Sequence, residues 1–371
     1  MIKRIPNLDG LRFLAALIVL VGHVEALKAF FLFPSLQQIR FFSNSAQIAV
    51  TFFFVLSGYL ITLFLLRDKL TENSGIFGIV RFYKKRILRI WPLYYLLLIL
   101  VFFIFYRIPI LQTKIYNGQI INQGFPSNFL YHLFFLPNYY EYIHGRGVSY
   151  LRQVWSLSVE EFFYLFYPFA IHFIAIKRIK FFLIVLSAVT IFLSLSIKYF
   201  GIINSSIQDS IFFNYEDKYR LYAFALGSLS GYFYLQSSFK SFRLFISKWV
   251  IDALILISLT FVVFGVTFSI VTQIVYSVLF AVLLFSVTVF IRKYWILNLP
   301  LSVYLGKISY GIYMWHSLVI VFVLKVSPLV INNTLISQLF VYSSVIILTI
   351  ILASISYYLF ERPFLKLSYK K

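Results

Sequence analysis

The 371 residues include no cysteine. This excludes a disulfide framework, a thiolate nucleophile and a zinc–thiolate centre, and leaves the redox compartment unmarked. Charge is also scarce. Asp, Glu, Lys and Arg together make up 12% of the chain, about half of what a soluble globular domain carries. Acidic residues are the scarcest part, 12 against 33 Lys and Arg, for a formal net charge of +21. The chain also lacks a low-complexity linker and any repeat of solenoid length, which argues against tandem modules.

Apolar residues fill the space. Hydrophobic residues make up 61% of the chain, with 45 Phe and 28 Tyr, too much for one aqueous core to hide. Stretches of at least ~18 apolar residues, long enough to span a bilayer, recur near 8–32, 47–66, 91–110, 155–176, 179–200, 219–236, 248–268, 270–291, 302–324 and 336–360. The expected fold is therefore all-α: a polytopic membrane bundle of ten spans, one membrane-embedded domain over 1–371 with no fused soluble domain. Only Phe268 to Ile270 divide the seventh and eighth spans, and Phe129 to Leu136 is too short to cross.

A large positive charge can signal nucleic acid. Here the basic residues sit between apolar runs, where they set topology and meet anionic lipid or an anionic small molecule, so no nucleic acid is expected. With the N-terminus in the cytoplasm, 21 of the 33 Lys and Arg fall on the inner side. They are Lys3 and Arg4, seven from Arg67 to Arg89, Lys177, Arg178 and Lys180, then Lys240, Arg243, Lys248, Arg292, Lys293, Arg362, Lys366, Lys370 and Lys371. Both termini are therefore expected inside. The long outer segment from Arg107 to Val154 is the expected meeting place for an external partner. Lys3, Arg4, the run Phe13–Val21 and Val24-Glu25-Ala26 imitate a cleaved signal peptide. Asp9, Arg12 and the apolar sequence continuing to Leu32 argue for a retained span.

Four constellations could carry chemistry. Arg12 and His23 lie eleven residues apart, which at ~100° and ~1.5 Å per residue puts both on one face of a helix, ~16 Å apart. Ionisable groups inside a span mark function by default; the plainer reading is a snorkelling Arg and a hydrogen-bonded His. Arg86 and Arg89, at i and i+3 before Trp91-Pro92, offer two forked donor sets suited to phosphate, or form an ordinary positive-inside anchor. Trp155 to Glu161 opens the fourth span, where Glu160 can orient an imidazole, hold sugar hydroxyls or pair with Arg220; solvation at the interface explains Glu161 better than Glu160. Leu305 to His316 combines small residues for close helix packing with interfacial aromatics, and His316 there also reads as a satisfied core histidine. His132, Glu141 and His144 form no metal signature, and no metal is expected.

In this order the segments resemble the acyltransferase-3 family of bacterial membrane acyltransferases. The matches are Leu8-Asp9-Gly10-Leu11-Arg12 with its His23, Phe53 to Tyr59, Lys85 to Pro92, Trp155 to Glu160, Arg220 with Gly227, Ile308-Ser309-Tyr310 with Trp315-His316, and Glu361-Arg362-Pro363. Ala49 and Thr51 depart from the Gly and Asp of many members. The resemblance implies O-acylation, usually O-acetylation, of a cell-surface carbohydrate by a multi-pass protein of the bacterial cytoplasmic membrane. The donor would be cytosolic acyl-CoA, acetyl-CoA where the product is an O-acetyl group, acting as substrate with no permanently bound cofactor. It gives the functional motif to Arg12 and His23 and the Arg-x-x-Arg pair to Arg86 and Arg89. Many relatives add an extracytoplasmic hydrolase-like domain; none is expected before Lys371, so direct delivery to the acceptor is expected.

The residues themselves support that division. Arg86 and Arg89 lie on the cytosolic side, where CoA phosphates arrive, and neutral His23 suits a general base. Counting from the span ends, His23 lies ~22 Å and His316 ~21 Å from the inner boundary, and Glu160 ~8 Å from the outer one; in a ~30 Å core these levels coincide. His23, Glu160 and His316 are thus expected to line one outward-open chamber, with Arg220 and His316 as candidate acceptor contacts. Two other functions use the same features: an exporter of lipid-linked sugars or acyl groups, and a polysaccharide polymerase needing no CoA. The oligomeric state is left open.

Overall fold

In the computed structural model, residues 5–70, 76–108, 127–144, 149–204, 218–236, 248–289, 294–326 and 335–368 are described. Every regular element among them is helical. Lys3, Arg4, Lys240, Arg243, Arg292, Lys293, Lys370, Lys371 and the parts of the outer segment at 109–126 and 145–148 lie outside the described residues.

In chain order the helices are α1 (Leu8–Phe30), α2 (Arg40–Lys69), α3 (Ile76–Ile99), α4 (Ser127–Leu133) and α5 (Pro137–His144). Next come α6 (Val154–Phe173), α7 (Ile176–Ile203), α8 (Leu221–Leu235), α9 (Lys248–Val263) and α10 (Thr272–Val289). The last are α11 (Trp295–Asn298), α12 (Pro300–Lys307), α13 (Ser309–Val326), α14 (Leu335–Ser356) and α15 (Arg362–Leu367). Among the described residues seven helical stretches are long and apolar enough to cross a membrane; α8 and α9 are apolar but shorter. Phe181 and Phe192 on α7 and Leu335 and Ile336 on α14 are each at least 68% exposed. Bare aromatic and aliphatic faces of that kind need lipid as their solvent. The chain is an all-α, multi-pass membrane protein.

Two boundaries depart from the hydropathy reading. α3 begins at Ile76, not near Trp91, so the basic run from Arg81 to Arg89 is already helical. A hydropathy window cannot register a helix whose first turns are cationic. The stretch read as one span over 302–324 is broken at Ile308 into α12 and α13. A Cβ on Gly306 would collide with the Asp9 carbonyl, so α12 is seated against the start of α1, in the unit that both share.

The chain forms two compact units, each assembled from separated segments. The first comprises Met1–Ala15, Asn44–Phe82 and Phe162–Gly306. There α2 and α8 touch backbone to backbone: a Cβ on Gly58 would strike the Phe224 carbonyl, and one on Gly227 the Val55 carbonyl. Glycine at both places lets the helices close, as small residues do inside membranes. Asn7, at φ 71°, turns the chain into α1; its Oδ1 accepts from Tyr294 N at 3.0 Å and Asn298 Nδ2 at 2.6 Å. Lys69 donates to the carbonyls of Ile171 (2.6 Å), His172 (2.8 Å) and Ile174 at the end of α6, a cation placed where a helix terminus needs one.

The second unit comprises Ala16–Ser43, Tyr83–Glu161 and Lys307–Lys371. Its centre is the pair α13 and α14. A Cβ on Gly311 would meet Ala353 Cβ and Glu361 Oε1, each at 3.2 Å, so the glycine sets how closely these helices approach. α14 runs into a π-helical turn, Tyr357–Glu361, a local widening that is frequent at functional sites.

Candidate active site

Within the second unit the structure brings His23 of α1 against His316 of α13. His23 Nδ1 and His316 Nε2 lie 2.7 Å apart, and His316 Nδ1 faces the Tyr313 carbonyl at 2.7 Å. The ring planes differ by 12° with centroids 5.0 Å apart. That spacing is what two rings in one plane give when nitrogen faces nitrogen at this distance, so they meet edge to edge. His316 is 1% exposed, whereas His23 keeps part of its surface accessible.

The α6 entry packs on the turn that precedes His316. Gln153 Nε2 donates to the Met314 carbonyl at 2.9 Å. The Tyr313 hydroxyl donates to the Gln153 carbonyl at 2.8 Å and lies 2.5 Å from Ser156 Oγ. The Tyr313 and His316 rings are 5.7 Å apart. Glu160, one helical turn after Ser156, acts electrostatically on Tyr313. Arg152 is within electrostatic reach of His23, and its guanidinium lies 5.5 Å from the Phe30 ring.

The two α3 arginines belong to the same unit and differ in setting. Arg86 is half-buried and Arg89 exposed. Arg86 is within electrostatic reach of Glu161, whose Oε2 accepts from Trp91 Nε1 at 3.1 Å; its Oε1 is buried with no hydrogen-bond partner. Arg89 is within reach of Glu361, which accepts from Ser356 Oγ at 3.0 Å. The Tyr310 hydroxyl donates to the Ile90 carbonyl at 2.8 Å, tying the start of α13 to α3 beside Arg89. In the first unit, by contrast, Arg81 pairs with Asp68 at 3.5 Å and Lys69 caps a helix, so parts of the basic run hold the fold.

The other two candidates also lie in the first unit. Arg12 Nη1 is 3.4 Å from Asp9 Oδ1, one turn earlier on α1. Arg220 is 3% exposed and donates to the Gln47 carbonyl (3.1 Å), Thr51 Oγ1 (2.9 Å) and Gln47 Oε1 (2.6 Å) on α2. Thr51 thus receives Arg220 and donates in turn to Gln273 Oε1 at 2.7 Å.

Sequence reasoning missed a buried ion pair two residues past His23. Lys28 Nζ lies 2.8 Å from Glu25 Oε1, with both side chains 0% exposed. Tyr342 donates to the same oxygen at 2.6 Å. Ser35 Oγ (3.0 Å) and Leu36 N donate to Oε2, and Lys28 also reaches Gln338. Two opposite charges at i,i+3 in an apolar run were visible in the chain; the partners from α14, some 310 residues on, were not. Among the described residues no group of three or more His, Asp or Glu could hold a metal ion.

On this all-helical, multi-pass chain the His23–His316 contact and the Arg86–Arg89 pair lie in one unit. The family description "Acyltransferase domain" of the acyltransferase-3 family matches residues 5–358, and the chain belongs to that family. It is similar to a protein of Staphylococcus aureus strain COL that carries a provisional O-acetyltransferase name: 28% identical over 384 residues, 98% of this chain and 58% of the relative. It is similar also to the O-acetyltransferase OatA of S. aureus strain NCTC 8325 / PS 47: 26% identical over 387 residues, 99% of this chain and 58% of the relative. The chain thus spans less than two thirds of the length of these relatives. No solved structure matches it.

Proposed function

We propose that the chain is a ten-span O-acetyltransferase of the bacterial cytoplasmic membrane, with both termini inside. It would move an acyl group from cytosolic acyl-CoA to a hydroxyl of an extracytoplasmic carbohydrate. The observation that carries this is the contact between His23 and His316 at 2.7 Å, in a chain of the acyltransferase-3 family. The relatives' O-acetyltransferase names support the class of reaction. For the ten spans, α6, α8 and α9 join the seven long apolar stretches.

In this reading Arg86 and Arg89 take the phosphates of CoA; the guanidinium fork suits them better than an ammonium. Arg12, three turns before His23 on the same helix, is the cation of the family's first-span motif. His23 accepts the proton of the acceptor hydroxyl as its oxygen attacks the thioester carbonyl. The C–O bond forms, the C–S bond breaks, and the CoA thiolate leaves and takes up a proton. Glu160 sits beside Tyr313 to hold the acceptor. We read Arg220 as a clamp between α8 and α2, since its hydrogen bonds to α2 occupy the guanidinium. The partners are acyl-CoA, the carbohydrate and the bilayer.

The test separates donor from chemistry. Purified His23→Ala should bind CoA as the parent does and transfer acyl groups about 10²–10⁴-fold more slowly, the cost of losing a general base. Arg86→Ala/Arg89→Ala should lose CoA affinity, and the double Lys variant should recover part of it. Transfer at the parental rate by His23→Ala would remove the histidine from the mechanism; unchanged CoA affinity would return the arginines to topology alone.

A further inference from the structure

His316 cannot be protonated arbitrarily. Its Nδ1 faces the Tyr313 carbonyl at 2.7 Å, and a carbonyl only accepts, so the hydrogen between them belongs to Nδ1. A neutral imidazole carries one N–H, and Nε2 of His316 is therefore a bare acceptor. The atom facing that lone pair at 2.7 Å is His23 Nδ1. Two lone pairs cannot face each other at that distance, so His23 must carry its proton on Nδ1. The rings' shared plane, within 12°, aims the N–H along the in-plane lone pair, as a strong hydrogen bond requires. The Ser317 hydroxyl, 3.3 Å from His316 Nε2, can add a second proton donor to the same nitrogen and none to His23.

We propose that His316 is a positioning residue that holds His23 as its Nδ1–H tautomer, leaving Nε2 as the nitrogen that takes the acceptor hydroxyl's proton. This rests on the reading of His23 as general base and adds which atom acts. A free imidazole side chain favours the proton on Nε2, the form that would point an N–H at the acceptor and have no lone pair for its proton. The chain Tyr313 carbonyl, His316, His23 reverses that preference. Its logic is that of an orienting group behind a catalytic histidine, with a backbone carbonyl and a second imidazole in place of a carboxylate. His316 is suited to this and not to touching the acceptor: it is 1% exposed, and both its nitrogens are engaged.

The chain has 5 histidines, so selective ¹⁵N-histidine labelling of the full-length protein in lipid nanodiscs gives a short spectrum, with His23→Ala identifying the His23 signals. The expected parent spectrum at neutral pH has a pyrrole-type Nδ1 and a pyridine-type Nε2 on His23, and the same pattern on His316. His316→Gln, whose amide oxygen can accept from His23 Nδ1, should keep the tautomer and most of the transfer rate. His316→Leu, with no acceptor, should shift His23 to the Nε2–H form and lower transfer by about 10²-fold or more at unchanged CoA affinity. A pyridine-type Nδ1 on the parent His23, a doubly protonated His316, or parental transfer by His316→Leu would overturn the proposal. If His316→Leu fails to fold, the parent spectrum decides alone. A fully active His23→Ala would remove the general-base reading whatever tautomer the spectrum shows, so the two failures are distinguishable.

Discussion

At the scale of single residues, burial separates the charged side chains that hold the fold from those proposed to act. Glu25 and Lys28 are fully buried and hydrogen-bonded to each other, and Tyr342 and Ser35 satisfy the carboxylate further. Removing one partner of such a pair strands a charge in an apolar interior and costs about 3–5 kcal/mol, whereas removing both costs much less. Lys28→Met should therefore lower the melting temperature of the purified protein sharply, and Glu25→Gln combined with Lys28→Met should restore most of it. A double variant falling by the sum of the two single losses would show that the pair is not coupled. His23, on the same helix, keeps accessible surface, as a group that must meet substrate has to. Arg12, His23, Arg86 and Arg89 could all be picked out from spacing. Gln153 could not, because a contact from a distant part of the chain places it; Tyr313 and Glu361 entered only as members of longer motifs, with no role of their own.

At the scale of helices, small residues decide where backbones meet. Gly58 and Gly227 sit at one crossing of α2 and α8, and each faces a carbonyl of the other helix. A carbonyl cannot swing aside as a side chain can, so Gly227→Ala should force the helices apart at a cost of about 1–3 kcal/mol. Thermal unfolding of the variant should begin at lower temperature, and unaltered melting would mean that this crossing tolerates separation. Gly227 was legible as part of a motif, and its physical reason is this contact. Hydropathy located helices at all ten apolar stretches. It misjudged α3 because Arg81 to Arg89 dilute the apolar signal, and it joined α12 to α13 because the break at Ile308 falls on an apolar residue.

Across the whole molecule the absence of cysteine is an experimental asset. Asn204 follows α7 and Lys177 opens it, and both side chains are exposed. The proposed topology puts Asn204 outside and Lys177 inside. In intact cells a membrane-impermeant thiol reagent should label Asn204→Cys at once and Lys177→Cys only after permeabilisation, with no background from the parent chain. The opposite pattern would invert the orientation and move His23 toward the cytosolic face, against the proposed direction of transfer.

The amino-acid sequence alone determined the class of fold and the family, because both depend on local quantities: the length and apolarity of successive runs, and short motifs in a fixed order. It marked which ionisable residues fall inside apolar runs. Tertiary structure alone decided which of those residues meet. His23 and His316 are 293 residues apart; counting along the spans assigns each a level, but a level leaves the rotation of each helix about its axis undefined. That rotation is set by packing, through the glycine at 311 and the Gln153 and Ser156 contacts to the turn that carries His316. The carbonyl facing His316 Nδ1, by contrast, is local: it belongs to Tyr313, three residues earlier on α13.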